Sequence, residues 1–152
     1  MNDTSISIRP FREEDLGEWF RLRQLLWDET DQDDHQSEMM DILDHSDTQF
    51  IAVADDGNGR LAGFLEASIR PFVEDCESDN VGYLEGWYVD VPYRRMGIGS
   101  RLVELAEKWA RQKGCTEMAS DAEIDNDSSI AAHVRLGYEE TSRLVHLRKD
   151  LV

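Results

Sequence analysis

The sequence predicts a single α/β (α+β) domain over residues 1–152, built on a mostly antiparallel sheet, and three features carry that prediction. Two apolar runs, Thr48 to Ala54 and Arg60 to Ile69, are joined through Asp55-Asp56-Gly57-Asn58-Gly59, a composition that turns a chain back on itself as a hairpin. A third run, Tyr83 to Val89, passes through a proline-marked turn into Arg94-Arg95-Met96-Gly97-Ile98-Gly99 and then an amphipathic helix. Around these, segments of period 2 and period 3.6 follow one another in the order β-α-α-β-β-β-α-β-α-β, with no repeat and no linker.

Ser5 to Arg9 alternates and reads as the first strand. Arg12 to Trp27 carries Leu16, Trp19, Phe20, Leu22, Leu25 and Leu26 as a helical stripe. Asp28 to Asp34 is polar and acidic and reads as a loop, followed by a helix over Asp34 to Asp44 that offers Met39, Met40, Ile42 and Leu43 to a core. After the hairpin, Pro71 to Asn80 is a second acidic loop, with Glu74, Asp75, Glu77 and Asp79. Gly99 to Lys113 is a helix through Leu102, Val103, Leu105, Ala106 and Trp109, stopped by Gly114. Cys115 to Ala122 is a strand. Asp127 caps a short helix that Gly137 closes, and Thr141 to Leu147 is the last strand.

The charge is unusual: 16 basic residues face 33 acidic ones, a net −17. Such a field repels nucleic acid and anionic membranes and attracts cationic molecules. No apolar run approaches the roughly 20 residues that span a bilayer, and Met1 to Ile6 has no signal-peptide layout. Cys76 and Cys115 share no metal spacing and read as reduced thiols of a cytoplasmic protein. His35, His45 and His146 likewise imply no metal.

The chemistry concentrates at residues 83–103. Two glycines one residue apart leave backbone N–H groups exposed at the positive end of a helix, and Arg94 and Arg95 add charge suited to phosphate. A dinucleotide fold requires G-x-G-x-x-G and a P-loop requires Gly-Lys-Ser/Thr. Neither is present, since Ser100-Arg101-Leu102 follows Gly99.

The remaining pattern, Arg-x-x-Gly-x-Gly at residues 94–99 after an apolar strand, resembles the acyl-CoA pyrophosphate loop of the GNAT N-acetyltransferases, and Leu136-Gly137-Tyr138 stands where that family has its second signature. The resemblance runs from Ile8 to Leu147. It implies a GNAT fold with six to seven strands and about four helices, and acetyl-CoA as donor without a metal. On the positions that match, Trp87, Tyr88 and Val89 meet the pantetheine amides, while Arg94, Arg95, Met96, Gly97, Ile98, Gly99 and Ser100 cradle the pyrophosphate. His133 stands where many members carry a Tyr that protonates the departing thiolate. Imidazole can do this, although the thiolate is a good leaving group without help.

Within the family, Leu26-Trp27-Asp28, Leu65-Glu66-Ala67-Ser68-Ile69-Arg70, Leu84-Glu85-Gly86 and Ala119-Ser120-Asp121-Ala122 with Asp125-Asn126 resemble the aminoglycoside 6′-N-acetyltransferases. That implies Trp27, Phe72, Glu85 and Asp121 on the drug-binding face, Asn126 on acetyl-CoA, and a homodimer. Ser142 replaces an acidic residue of that branch, and no contact is carried over to it. Independently, a polycationic substrate needs carboxylates. The two acidic loops supply them, and Glu85 and Asp121 lie in strand positions, where a carboxylate among apolar residues needs a partner. Asp121 then takes the proton of the attacking amine, directly or through water, and Glu85 positions that amine. A polyamine or a protein or peptide amine as acceptor, and a non-catalytic acyl-CoA sensor, are the competing readings.

Overall fold

The computed structural model describes residues 5–152; the reading of Met1 to Thr4 lies outside them. The chain forms two compact units, the first ending at Ser120 and the second running from Asp121 to Val152.

The first unit holds a five-stranded sheet in chain order: β1 (Ser7–Pro10), β2 (Gln49–Asp55), β3 (Leu61–Arg70), β4 (Val81–Val89) and β5 (Met118–Ser120). β1 to β4 are antiparallel neighbours. β5 joins β4 in parallel, as a strand reached through a crossover helix must. That crossover is α3 (Ile98–Gln112); α1 (Leu16–Leu26) and α2 (Gln32–Leu43) lie between β1 and β2 in sequence.

Side-chain alternation assigns the two faces of the sheet. Ile51, Val53 and Phe64 join Trp19 and Leu22 of α1 and Met39 of α2 in one core cluster. Phe50 points the other way and stacks on Trp109 of α3 at 5.2 Å. The expected stripe on α3 is buried through Leu102, Val103, Ala106 and Trp109. On α1 and α2 the stripes are narrower than expected, because Leu16, Leu25, Met40 and Leu43 remain exposed.

Three boundaries differ from expectation for local reasons. A single 3₁₀ turn (Glu13–Asp15) precedes α1, and the Asp15 carboxylate accepts from the Arg12 N–H at 2.7 Å. α2 starts inside the expected acidic loop: Asp31 caps it by accepting from the Asp34 N–H at 2.9 Å, and Asp33 and Asp34 sit in the first turn, where the helix dipole favours negative charge. β5 is three residues long, so Asp121 falls just past the strand and is exposed.

The second unit contains one helix, α4 (Asp127–Arg135), capped by Asn126 rather than by the expected Asp127; the Asn126 side chain accepts from the Ser129 N–H at 3.1 Å. Gly137 follows with φ 96°, the left-handed residue expected there. The strand expected over Thr141 to Leu147 does not form, so the described sheet has five strands rather than six to seven. Its alternating residues carry a strand's preference, but a strand exists only where a neighbour offers a ladder, and Leu144, Val145 and Leu147 are exposed instead.

Candidate functional site

A register shift in β4 makes the site. Glu66 pairs with Gly86 and Ala67 with Leu84, which leaves Glu85 as an extra residue. Simple alternation would send Glu85 and Gly86 to opposite faces. The bulge places Glu85 beside Ser68 and Arg70, on the face that α1 and α2 cover. There Trp27, Glu38, Asp41, Glu66 and Glu85 line a cavity of about 460 Å³.

Trp27, just past the end of α1, is fixed from several sides. Its indole lies against Gly86, where an added Cβ would stand 2.4 Å from the ring. Phe64 meets it edge-on at 6.2 Å, and the Arg23 guanidinium sits 4.7 Å from its centroid. Arg23 donates from Nε to His35 Nδ1 at 3.2 Å. Since arginine can only donate, His35 is neutral with its proton on Nε2, and that N–H donates to the Trp27 carbonyl at 3.2 Å.

Beneath the cavity, Arg23 and Glu66 form a buried pair at 2.6 Å, with Trp19 Nε1 donating to the same carboxylate oxygen at 2.8 Å. Glu38 holds the other end of Arg23. Burial pushes the Glu66 carboxyl above its ordinary range, while Arg23 and Trp19 pull against it. At the cavity mouth His45 donates to the Asp41 carbonyl at 2.8 Å; that bond, with the carboxylates of Asp41, Asp47 and Asp44, raises its imidazole.

Glu85 finds its partner within the chain. Arg70 grips it with two bonds, at 2.7 and 2.9 Å, and Ser68 Oγ donates to it at 2.5 Å. Phe72 stands 68% exposed and does not line the cavity. Neither acidic loop delivers a carboxylate to it. The second loop instead folds onto the chain, with the Glu77 and Ser78 N–H groups donating to Glu117. Sequence reasoning missed three cavity carboxylates: Glu66 on β3, and Glu38 and Asp41, which share one face of α2 with Ile42 in a row that His45 continues just past the helix end. That i, i+3, i+4, i+7 spacing is a readable signal, hidden beneath the Met39 stripe.

At the other end of β4, pairing with β5 covers only Gly82 to Leu84, while β4 continues to Val89 through Trp87 and Tyr88. A one-turn 3₁₀ helix (Val91–Tyr93) leads to the glycine loop. Arg95 (φ 68°) and Gly97 (φ 76°) are left-handed, the pattern that gathers successive N–H groups into an anion-binding concavity. α3 then begins with no side-chain cap and no acid in its first turn, so its positive end is open to an anion. Ile98 is buried and offers only backbone. Gly99 lets the Trp87 indole approach and accepts from Trp87 Nε1 at 3.1 Å. Arg95 and Met96 are exposed and Ser100 is half-buried, whereas Arg94 donates to the Val89 carbonyl at 2.7 Å and lies 5.4 Å from the Tyr88 ring.

Asp121, Asn126 and His133 belong to the second unit. Asp121 is exposed, and the Asn126 side chain is engaged in capping. His133 Nδ1 donates to the Ser129 carbonyl at 2.7 Å. The neutral ring therefore has no proton on Nε2, and only the imidazolium form can donate from that nitrogen.

A bulged strand that parts from its parallel neighbour, then a glycine loop opening a helix, define an acyl-CoA-type transferase scaffold. The chain matches the Acetyltransferase (GNAT) family over residues 16–138 and belongs to that family. It is 42% identical to an aminoglycoside N(6′)-acetyltransferase type 1 of Klebsiella aerogenes, covering 98% of this chain and 99% of that protein. A protein of the same name from Acinetobacter baumannii is 40% identical, covering 96% and 99%. Among solved structures, AAC(6′)-Iy in complex with the bisubstrate analog CoA-S-monomethyl-acetylneamine superposes with a TM-score of 0.90 at 35% identity, covering 96% of this chain and 99% of that one.

Proposed function

We propose that this protein, one GNAT domain along its length, transfers acetyl from acetyl-CoA to the 6′-amine of aminoglycosides and so confers resistance to them. The observation that carries this is the carboxylate-lined cavity walled by Trp27, with Glu85 turned into it by the β4 bulge. A drug with several ammonium groups needs such a wall, whereas an apolar funnel would strip its water without replacing it.

The glycine loop fits the donor. An uncapped helix end beside two left-handed residues suits the pyrophosphate, and β4 beyond Leu84 suits the pantetheine amides. In the reaction, the neutral amine forms the C–N bond and the C–S bond breaks. Glu85 orients the amine, Asp121 accepts its proton directly or through water, and His133, when cationic, protonates the thiolate. Asp121→Asn should lower kcat by about a hundredfold or more with a smaller change in KM; full kcat in that variant would remove Asp121 as the base.

A thiol-release assay with acetyl-CoA tests the activity across kanamycin-type drugs, polyamines and peptides. Turnover of a 6′-amino drug and none of its 6′-hydroxyl analogue is expected. Turnover of polyamines or peptides alone would reassign the acceptor, and no turnover at all would leave an acyl-CoA sensor. We place the enzyme in the cytoplasm, where free thiols such as Cys76 and Cys115 stay reduced, and as a homodimer.

A further inference from the structure

The carboxylate proposed to orient the amine is already neutralised by the protein. Glu85 receives three donors from its own chain: Arg70 Nε, Arg70 Nη2 and Ser68 Oγ. A carboxylate offers about four lone-pair sites, so no more than one stays open while Arg70 is in place, and an ammonium engages the carboxylate fully only when the guanidinium leaves. We infer that Arg70 is a specificity-determining residue: a resident counter-ion on Glu85 that a polycationic substrate must displace. This rests on the proposed aminoglycoside reading of the cavity and adds a residue to it.

Two arginine–glutamate pairs on the same sheet face, one buried and one exposed, differ in the way the inference requires. In the Arg23–Glu66 pair the side chains are 2% and 5% exposed, so neither group can exchange. In the Arg70–Glu85 pair they are 43% and 30% exposed, and an exposed pair gains little over two hydrated ions. Arg70 also has a second resting place, because its guanidinium lies 3.5 Å from the centroid of the Tyr83 ring. It can give up Glu85 and keep a favourable cation–π contact. Ser68 keeps the carboxylate oriented when the guanidinium leaves.

A cation with one charge gains as much at Glu85 as Arg70 loses. A substrate with several ammonium groups also engages Glu38 and Asp41, which line the same cavity, and this surplus lets it displace Arg70. The resident arginine therefore discriminates by charge number: it screens out monoamines and admits polycations.

The experiment compares Arg70→Gln, Arg70→Lys and the wild type in two measurements. One is calorimetric Kd for kanamycin and for a monoamine at low salt, without acetyl-CoA; the other is steady-state KM and kcat. Arg70→Gln is expected to lower Kd and KM for kanamycin by about three- to tenfold with kcat changed far less, to improve monoamine binding by a larger factor, and Arg70→Lys to fall between. Unchanged or weakened binding in Arg70→Gln overturns the inference and makes Arg70 a residue that holds Glu85 in place. If the wild type acetylates no aminoglycoside, the activity reading fails, and the Kd comparison still decides for or against the displaced counter-ion.

Discussion

At the scale of single residues, the site depends on close approaches as much as on charges. Gly86 is required by Trp27: a methyl group there would lie 2.4 and 2.8 Å from indole carbons, and that ring is held by Arg23, Phe64 and the His35 bond to its own carbonyl. Gly86→Ala is expected to push the indole off β4, cost about 1–3 kcal/mol in urea unfolding, and raise KM for the amine while leaving KM for acetyl-CoA near its wild-type value. In a Trp27→Ala background, Gly86→Ala should cost little further stability, while the amine KM stays raised. If Gly86→Ala alone left both unchanged, Trp27 would not be the wall of the cavity. The identities of Trp27 and Glu85 were legible in the sequence as local motifs. What they do was not, because Glu85 acquires its direction from a one-residue shift between β3 and β4. Arg23, Glu66 and His35 come together only when α1, α2 and β3 pack.

At the scale of elements, the expected order of strands and helices stands from β1 through α4, since each of those segments carries its own period and punctuation. Ends shifted wherever a side chain found a better use, as at Asp31 and Asn126. The strand expected over Thr141 to Leu147 does not form, because alternation specifies a preference and not a partner. The segment from Arg9 to Arg21 is fastened to the sheet by carboxylates. Asp15 accepts two bonds from Arg9, which also reaches Asp55 on β2. Glu18 accepts from Arg21 and from the Leu61 N–H on β3. Desolvation pushes Asp15 upward, but the bonds from Arg9 and the Arg12 N–H prevail and hold it below its ordinary value. Arg21 above all, with the Leu61 N–H, lowers Glu18 against its own desolvation. Carboxyls with lowered folded values contribute stability that is complete above the unfolded range and is lost as pH falls through the folded values. The urea midpoint should therefore fall steeply below about pH 4. Asp15→Asn with Glu18→Gln should be less stable at pH 7, by about 1–3 kcal/mol for the Asp15 change, and show a flatter acid limb. An acid limb as steep as that of the wild type would mean that other carboxylates govern it.

At the scale of the whole molecule, net charge and exposed apolar surface oppose each other, and their balance bears on assembly. In the second unit Leu144, Val145 and Leu147 are 59, 81 and 90% exposed within a segment whose residues alternate like a strand. A segment of this kind gains both a ladder and a dry face by pairing with another chain. A net charge of −17 resists the approach of a second copy. The two forces depend oppositely on salt: screening weakens the repulsion between copies and leaves apolar burial intact. The proposed homodimer is thus expected to tighten as ionic strength rises, the reverse of an interface built on ion pairs. Light scattering on a sizing column should give twice the chain mass at about 0.5 M salt, with dissociation appearing first at low salt and low concentration. Val145→Asp with Leu147→Asp should give a monomer at every salt concentration while α4 keeps its helical signal. A wild-type protein that stays monomeric throughout the series, or a dimer that loosens as salt is added, would assign those apolar side chains to something other than self-association.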